Sequence, residues 1–163
     1  MSHLNTIKSK IYLLEGLKAQ VDSWKETGEK VVFTNGCFDI LHRGHIEALA
    51  RTADLGNRLI IGLNSDQSIQ ALKGENRPIV NEDSRAILLA SLSFVDAVVL
   101  FSEETPLNLI STLMPDVLAK GGDYEIETIV GHKIVQNNGG KVILVPFIDG
   151  YSSTNIIEKI KNT

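Results

Sequence analysis

Five short apolar runs limit what this chain can fold into. KVVFTN (Lys30–Asn35), RLIIGLN (Arg58–Asn64), DAVVLF (Asp96–Phe101), PDVLAKGG (Pro115–Gly122) and KVILVPF (Lys141–Phe147) alternate with stretches of helical periodicity. The runs are continuously apolar instead of alternating with polar residues, as expected of strands covered on both faces. Strand and helix in strict alternation predict an α/β fold. The form expected is a Rossmann-like open parallel five-stranded sheet with helices on both faces.

The intervening segments carry helix signals of their own. From Gly44 to Gly56, Ile46, Leu49, Ala50 and Ala53 share one face. Ser65 is placed to cap a helix running to Leu72, and Asn81 to cap EDSRAILLASLS, with Glu82 and Asp83 set against the helix dipole. Thr105-Pro106 opens a further helix, with Thr105 as cap and Pro106 at its first position, Glu125–Asn138 forms another, and Ser152-Ser153-Thr154 begins the last. Before the first strand, Leu4, Ile7, Ile11, Leu14, Leu17, Val21 and Trp24 recur at spacings of three and four. This predicts an N-terminal amphipathic helix of about six turns that stops near Gly28. Residues 1–28 are therefore expected to pack on the domain or on a second subunit, and residues 29–163 to form one domain.

Composition narrows the function. The net charge of −4, with no long basic run, argues against a broad nucleic-acid footprint, so an anionic ligand must be held locally. Cys37 is the only cysteine, which excludes an internal disulfide and fits a reducing compartment. No apolar run approaches the roughly 20 residues needed to span a bilayer, and the N-terminal segment lacks the continuous apolar core of a secretory signal. A cytoplasmic location, away from membrane, is expected.

In parallel α/β sheets ligands bind beyond the carboxyl ends of the strands. Four loops follow strand ends here: Asn35–His45, Ser65–Pro78, Lys120–Tyr124 and Gly150–Thr154. They are expected to converge. Within the first loop, His42 and His45 stand three residues apart around Gly44, two of only four histidines in the chain. One could be a surface residue and the other a helix cap. A zinc site would need three or four ligands, and the chain has neither a cysteine pair nor HExxH spacing. A phosphate cradle accounts for more. The two residues lie on one side of a helix start, beside free backbone N–H groups and the positive dipole end, and Gly44 admits a ligand close to the backbone.

GCFDILHRGH (Gly36–His45) resembles the (T/C)FDxxHxGH signature of the HxGH nucleotidyltransferase superfamily, and Gly150–Thr154, GYSST, its G-x-S-[ST]-T signature before the last helix. LKGENRPIVNEDSRAILLASL, DVLAKGGDY and the glycine pair before Lys141-Val142 further resemble the adenylyltransferase domain of bifunctional ADP-heptose synthases. The likeness runs from about Val31 to Lys161, with its motifs in order.

That resemblance implies transfer of AMP from ATP to D-glycero-β-D-manno-heptose 1-phosphate, giving ADP-heptose and pyrophosphate for the lipopolysaccharide inner core. A sugar phosphate is mostly dianionic at neutral pH, its second pKa being about 6, so no general base is required. The work is alignment and charge stabilisation.

By the same resemblance, His42 and His45 stabilise the α- and β-phosphates, Lys73 covers them as a mobile cation, and Arg85 binds phosphate. Asn35, Gly36, Cys37, Phe38 and Gly44 would line the nucleotide site, and Lys120, Gly121 and Asp123 would meet the nucleotide at the fourth strand's end. Ser152, Ser153 and Thr154 would hold the β/γ-phosphates. Asp39 would brace backbone N–H groups, or touch the heptose or a hydrated magnesium ion, and Lys73 and Arg85 would also serve the sugar phosphate. Magnesium is expected through the ATP phosphates, with no dedicated protein site. A homodimer or higher homo-oligomer is expected, as is a separate heptose kinase on another chain. The alternatives are a glycerol-3-phosphate or related cytidylyltransferase, and a catalytically silent nucleotide-binding module.

Overall fold

The structure is a computed structural model that describes residues 2–146 and 150–163. Its centre is one parallel sheet. The strands are β1 (Ile11–Tyr12), β2 (Val31–Gly36), β3 (Arg58–Asn64), β4 (Ala97–Phe101), β5 (Val117–Gly121) and β6 (Lys141–Val145). They lie side by side in the order β1-β4-β3-β2-β5-β6, every neighbouring pair parallel. The five expected strands are all present. Phe147, placed in the last of them, lies outside the described residues.

The sixth strand corrects the expectation for the N-terminus. In place of one helix of six turns, the segment forms α1 (His3–Lys8), then β1, then α2 (Leu14–Glu26). Ile11 and Tyr12 have the β-branched and aromatic character that suits a pleated surface, and they pair with Val98 and Val99 at the open edge of β4. The amide of Val98 also donates to the carbonyl of Lys10 at 2.8 Å. A helix continuing through this point would leave that edge unpaired. Leu17, Val21 and Trp24 of α2 are buried as their periodicity predicts, packed with Val31, Phe33 and Ile60. The same rule misplaces Leu4, which is half exposed.

The remaining helices are α3 (Arg43–Ala53), α4 (Asp66–Lys73), α5 (Glu82–Ala90), α6 (Leu107–Leu113), α7 (His132–Asn137) and α8 (Ser153–Lys161). Ser65 and Asn81 cap α4 and α5, their side-chain oxygens accepting from the amides of Ser68 and Ser84. Pro106 occupies the N-cap of α6, where Thr105 was expected. The helix expected over Glu125–Asn138 is broken into a 3₁₀ turn (Ile126–Thr128) and α7. The break falls at Gly131, whose backbone is left-handed (φ 85°) and whose missing Cβ would lie 2.8 Å from Ile110.

Two apolar cores flank the sheet. One joins α2, α6 and α7 to it through Leu17, Ile110, Leu113 and Val135. The other joins α3 and α5 through Leu49, Ala86 and Leu89. Among the described residues no helix is long and apolar enough to cross a membrane.

Candidate active site

Strand order reverses beside β2. From there the chain builds outward through β3 and β4 on one side and through β5 and β6 on the other. Such a switch point opens a crevice between loops that leave in opposite directions. A cleft of about 720 Å³ lies there, beyond the ends of β2 and β5.

The cleft is lined by Asn35, Gly36, Cys37, Phe38, Asp39, His42, Gly44 and His45 from the first loop and Lys73 from the end of α4. Lys120 and Gly121 border it from β5, and Ser152, Ser153 and Thr154 from the start of α8. Fourteen of the sixteen candidate residues are thus brought together; Arg85 and Asp123 are not among the lining residues. Asp123 is exposed on the turn after β5.

His42 is both a cap and a candidate phosphate ligand. Its Nδ1 accepts from the amide of His45 at 3.4 Å at the N-cap of α3. An imidazole that accepts at Nδ1 carries its neutral-form proton on Nε2. The two rings stack, centroids 3.8 Å apart and planes 19° from parallel. Burial holds His42 below the ordinary histidine range. His45 is pushed down to about 4 by burial first, then by the charges of His42 and Lys73. Both rings are therefore neutral hydrogen-bond donors at pH 7 in the free protein. His45 Nδ1 is buried without a protein partner.

Lys120 sits deeper. Its ammonium donates to Asn35 Oδ1 at 3.1 Å, bridging the ends of β5 and β2, and burial lowers its pKa. Lys73 is exposed on the last turn of α4, before Gly74. Ser152 caps α8, and the Ser153 hydroxyl donates to the Ile40 carbonyl at 3.0 Å, tying the last helix to the histidine loop. Thr154 is exposed beside them.

Behind this surface lies a second layer that the sequence did not reveal. Arg85 is 0% exposed. Each of its three nitrogens donates, four of the five N–H groups in all, to the carbonyls of Val80, Cys37 and Asn64 at 2.9, 2.7 and 2.8 Å, and to Asp66 at 2.7 Å. In this conformation none of it faces the cleft. Asp39 borders the cleft but is spoken for in the same way. Its Oδ1 accepts from the amides of Ile79 (2.8 Å) and Val80 (3.0 Å), and its Oδ2 from Arg77 Nε (2.6 Å). Burial alone would raise its pKa, but these donors outweigh burial and hold it below the ordinary carboxylate value. Of the two roles weighed for Asp39, the geometry matches the brace.

Magnesium was expected to arrive with ATP. Among the described residues no group of three or more His, Cys, Asp or Glu side chains is arranged to hold a metal ion. The only lining carboxylate among them is Asp39, whose two oxygens are already committed.

Two lining aromatics were missed by sequence reasoning, Tyr124 and Tyr151, both more than two-fifths exposed. The available signal was a tyrosine within two residues of a glycine in each of the two late loops.

The comparisons with known proteins agree with this geometry. Residues 33–159 match the family described as cytidylyltransferase-like. The chain is 52% identical over 158 residues to the bifunctional protein HldE of Syntrophotalea carbinolica, covering 97% of this chain and 32% of that protein. Against the bifunctional protein HldE of Geobacter metallireducens it is 53% identical, covering 93% and 31% respectively. The chain thus spans about a third of the length of these relatives. Among solved structures, the lipopolysaccharide core biosynthesis protein from Thermoplasma volcanium GSS1 superposes with a TM-score of 0.61 at 28% identity, covering 77% of this chain and 100% of that one. With a family match over most of its length and the corresponding signatures gathered on one cleft, the chain belongs to the cytidylyltransferase-like family.

Proposed function

We propose that this chain is a nucleotidyltransferase that joins AMP from ATP to a heptose 1-phosphate, giving ADP-heptose and pyrophosphate. The observation that carries the proposal is the meeting of the HRGH pair and the Ser152–Thr154 hydroxyls on one cleft at the switch point. The sugar follows from the resemblance of the KGENRP and KGGDY segments to ADP-heptose synthases. It is supported by half-identity to proteins named bifunctional HldE, and by a solved neighbour described as a lipopolysaccharide core biosynthesis protein.

The reaction is an in-line displacement. A dianionic oxygen of the sugar phosphate forms a bond to the α-phosphorus of ATP. The bond from that phosphorus to the bridging oxygen breaks, and pyrophosphate leaves with the electron pair. No side chain needs to remove a proton. The chain's task is to place the two anions and to meet the charge that develops.

The neutral rings of His42 and His45 would donate N–H groups to the phosphate oxygens at the start of α3. The N-terminus of α8 and Thr154 would receive the outer phosphates. Lys73, at the open mouth of the cleft, would add a mobile positive charge. Arg85, in the conformation described, would act from behind the site by fixing the loops that carry these groups. A kinase step must supply the sugar 1-phosphate.

The test is pyrophosphate release with each of the four nucleoside triphosphates against heptose 1-phosphate and glycerol 3-phosphate. Turnover with ATP and heptose 1-phosphate is expected. Activity confined to CTP would replace this reading with a cytidylyltransferase, the alternative that the family's description keeps in view. Nucleotide binding without any turnover would leave a silent module.

A further inference from the structure

Tyr151 is the second residue of the GYSST signature and has no role in the reading so far. Its ring stacks on His42, with centroids 6.1 Å apart and planes 21° from parallel. His42 stacks in turn on His45, and His45 meets Phe38 edge-on at 5.3 Å and 65°. The two imidazoles thus form the middle of a column of four rings. Aromatic pairs at these separations have preferred geometries and resist reorientation.

Two neighbours of the outer ring restrict it. Arg43 Nη1 lies 3.4 Å from the Tyr151 hydroxyl, with its guanidinium carbon 5.9 Å from the ring centre. Gly44 has no side chain where a Cβ would come within 2.7 Å of the Tyr151 Cβ. The glycine of HRGH therefore makes room for a tyrosine more than a hundred residues away, as well as for a ligand. At the other end, Phe38 holds a left-handed backbone (φ 46°), and a Cβ on Gly36 would lie 2.9 Å from its ring. Gly36 and Gly44 thus make space for the terminal rings of the column.

The chemistry gives the column a purpose. A histidine whose Nδ1 accepts from its own helix can still rock about the ring bond, which swings Nε2–H away from a phosphate oxygen. Electrostatic stabilisation depends on donors fixed in advance, because a donor that must reorient during the reaction loses much of its benefit. We propose that Tyr151 is a positioning residue for His42, its ring covering the outer face of the imidazole pair and holding Nε2–H in line with the bound phosphate. The kinetic consequence rests on the function proposed above; the stacking itself does not.

The experiment compares Tyr151→Ala and Tyr151→Phe in the full chain. In isotope-labelled protein without ligand, the His42 Cε1–H resonance should shift in Tyr151→Ala as the ring current is lost, and stay near its wild-type position in Tyr151→Phe. The rest of the spectrum reports that the fold is intact. In the pyrophosphate assay kcat should fall roughly tenfold in Tyr151→Ala, as for loss of an aromatic pair felt in the transition state. KM for ATP should change far less, and phenylalanine should restore most of kcat. An unmoved His42 resonance or an unchanged kcat in Tyr151→Ala would overturn the proposal. So would a Tyr151→Phe variant as slow as Tyr151→Ala, which would assign the effect to the hydroxyl and Arg43. If the wild-type chain turns over no substrate pair, the proposed function fails, and the resonance alone decides the stacking.

Discussion

Two layers of polar groups meet at the end of β2, and they are built on opposite terms. The front layer, His42, His45, Lys73 and Thr154, faces the cleft, and one buried ring nitrogen in it has no protein partner. In the back layer, Asp39, Arg77, Arg85 and Asp66, both oxygens of Asp39 and all three guanidinium nitrogens of Arg85 have named partners within the protein, and Arg77 Nη2 is buried without one. Unspent capacity is what a ligand can use, whereas a satisfied buried network holds shape. The same residue types, cations and hydrogen-bond donors, thus serve recognition in one layer and architecture in the other. Sequence spacing does not separate them.

The contrast can be broken from either side. The largest effect belongs to the front. Replacing His42 or His45 by alanine should remove about 10²–10⁴ of turnover, as for the loss of one preorganised donor, while thermal unfolding stays near wild type. Steady-state kinetics alongside calorimetry check this, and a fully active variant would remove the histidine pair from the mechanism.

The back layer should answer in stability. Arg85→Ala strands three carbonyls and the Asp66 carboxylate. The cost should be about 3 kcal/mol, the low end for a broken buried ion pair because Asp66 is one-third exposed, or roughly 6–12 °C in Tm. Arg85→Lys should recover little, since one ammonium cannot span four acceptors arranged around a planar fork. A variant with normal Tm but lost affinity for substrate would move Arg85 to the front layer.

The smallest effect is a pH dependence carried by His45. Its pKa in the folded chain is depressed from 6.5 to about 4. The unfolded chain therefore takes up a proton at a pH where the folded chain does not. The stabilisation is complete above about pH 6.5 and is lost as pH falls toward 4. Between these limits Tm should decline more steeply in the wild type than in His45→Gln, measured in matched buffers. Parallel slopes would mean that the ring is not buried neutral.

Much of this site was legible in the sequence, because its parts are local. The continuous apolar runs could only be buried strands, and the caps at Ser65 and Asn81 are properties of three or four adjacent residues. The loops that follow such strands must leave on one edge of a parallel sheet, so the convergence of HRGH and GYSST followed from topology before any distance was known. What could not be read depends on partners far apart in the chain. Arg85 was expected at the phosphates on the strength of the resemblance alone; its burial follows from carbonyls at Cys37 and Asn64 that only the folded sheet brings to it. The N-terminal periodicity likewise fits a helix throughout. Ile11 and Tyr12 leave that helix only because β4 offers an unpaired edge, and no window of the first 28 residues contains that information.

The amino-acid sequence by itself determined the alternation of strand and helix, the sheet's parallel sense, the position of the cleft and most of the residues around it. Each of these is set by short-range pattern and by the few topologies that such a pattern permits. Tertiary structure alone decided which charged groups remain free for a ligand, that burial pushes both histidines toward the neutral form, and that Tyr151 stacks on His42. Those outcomes turn on desolvation and on contacts between residues more than a hundred positions apart, and neither is fixed until the chain is folded.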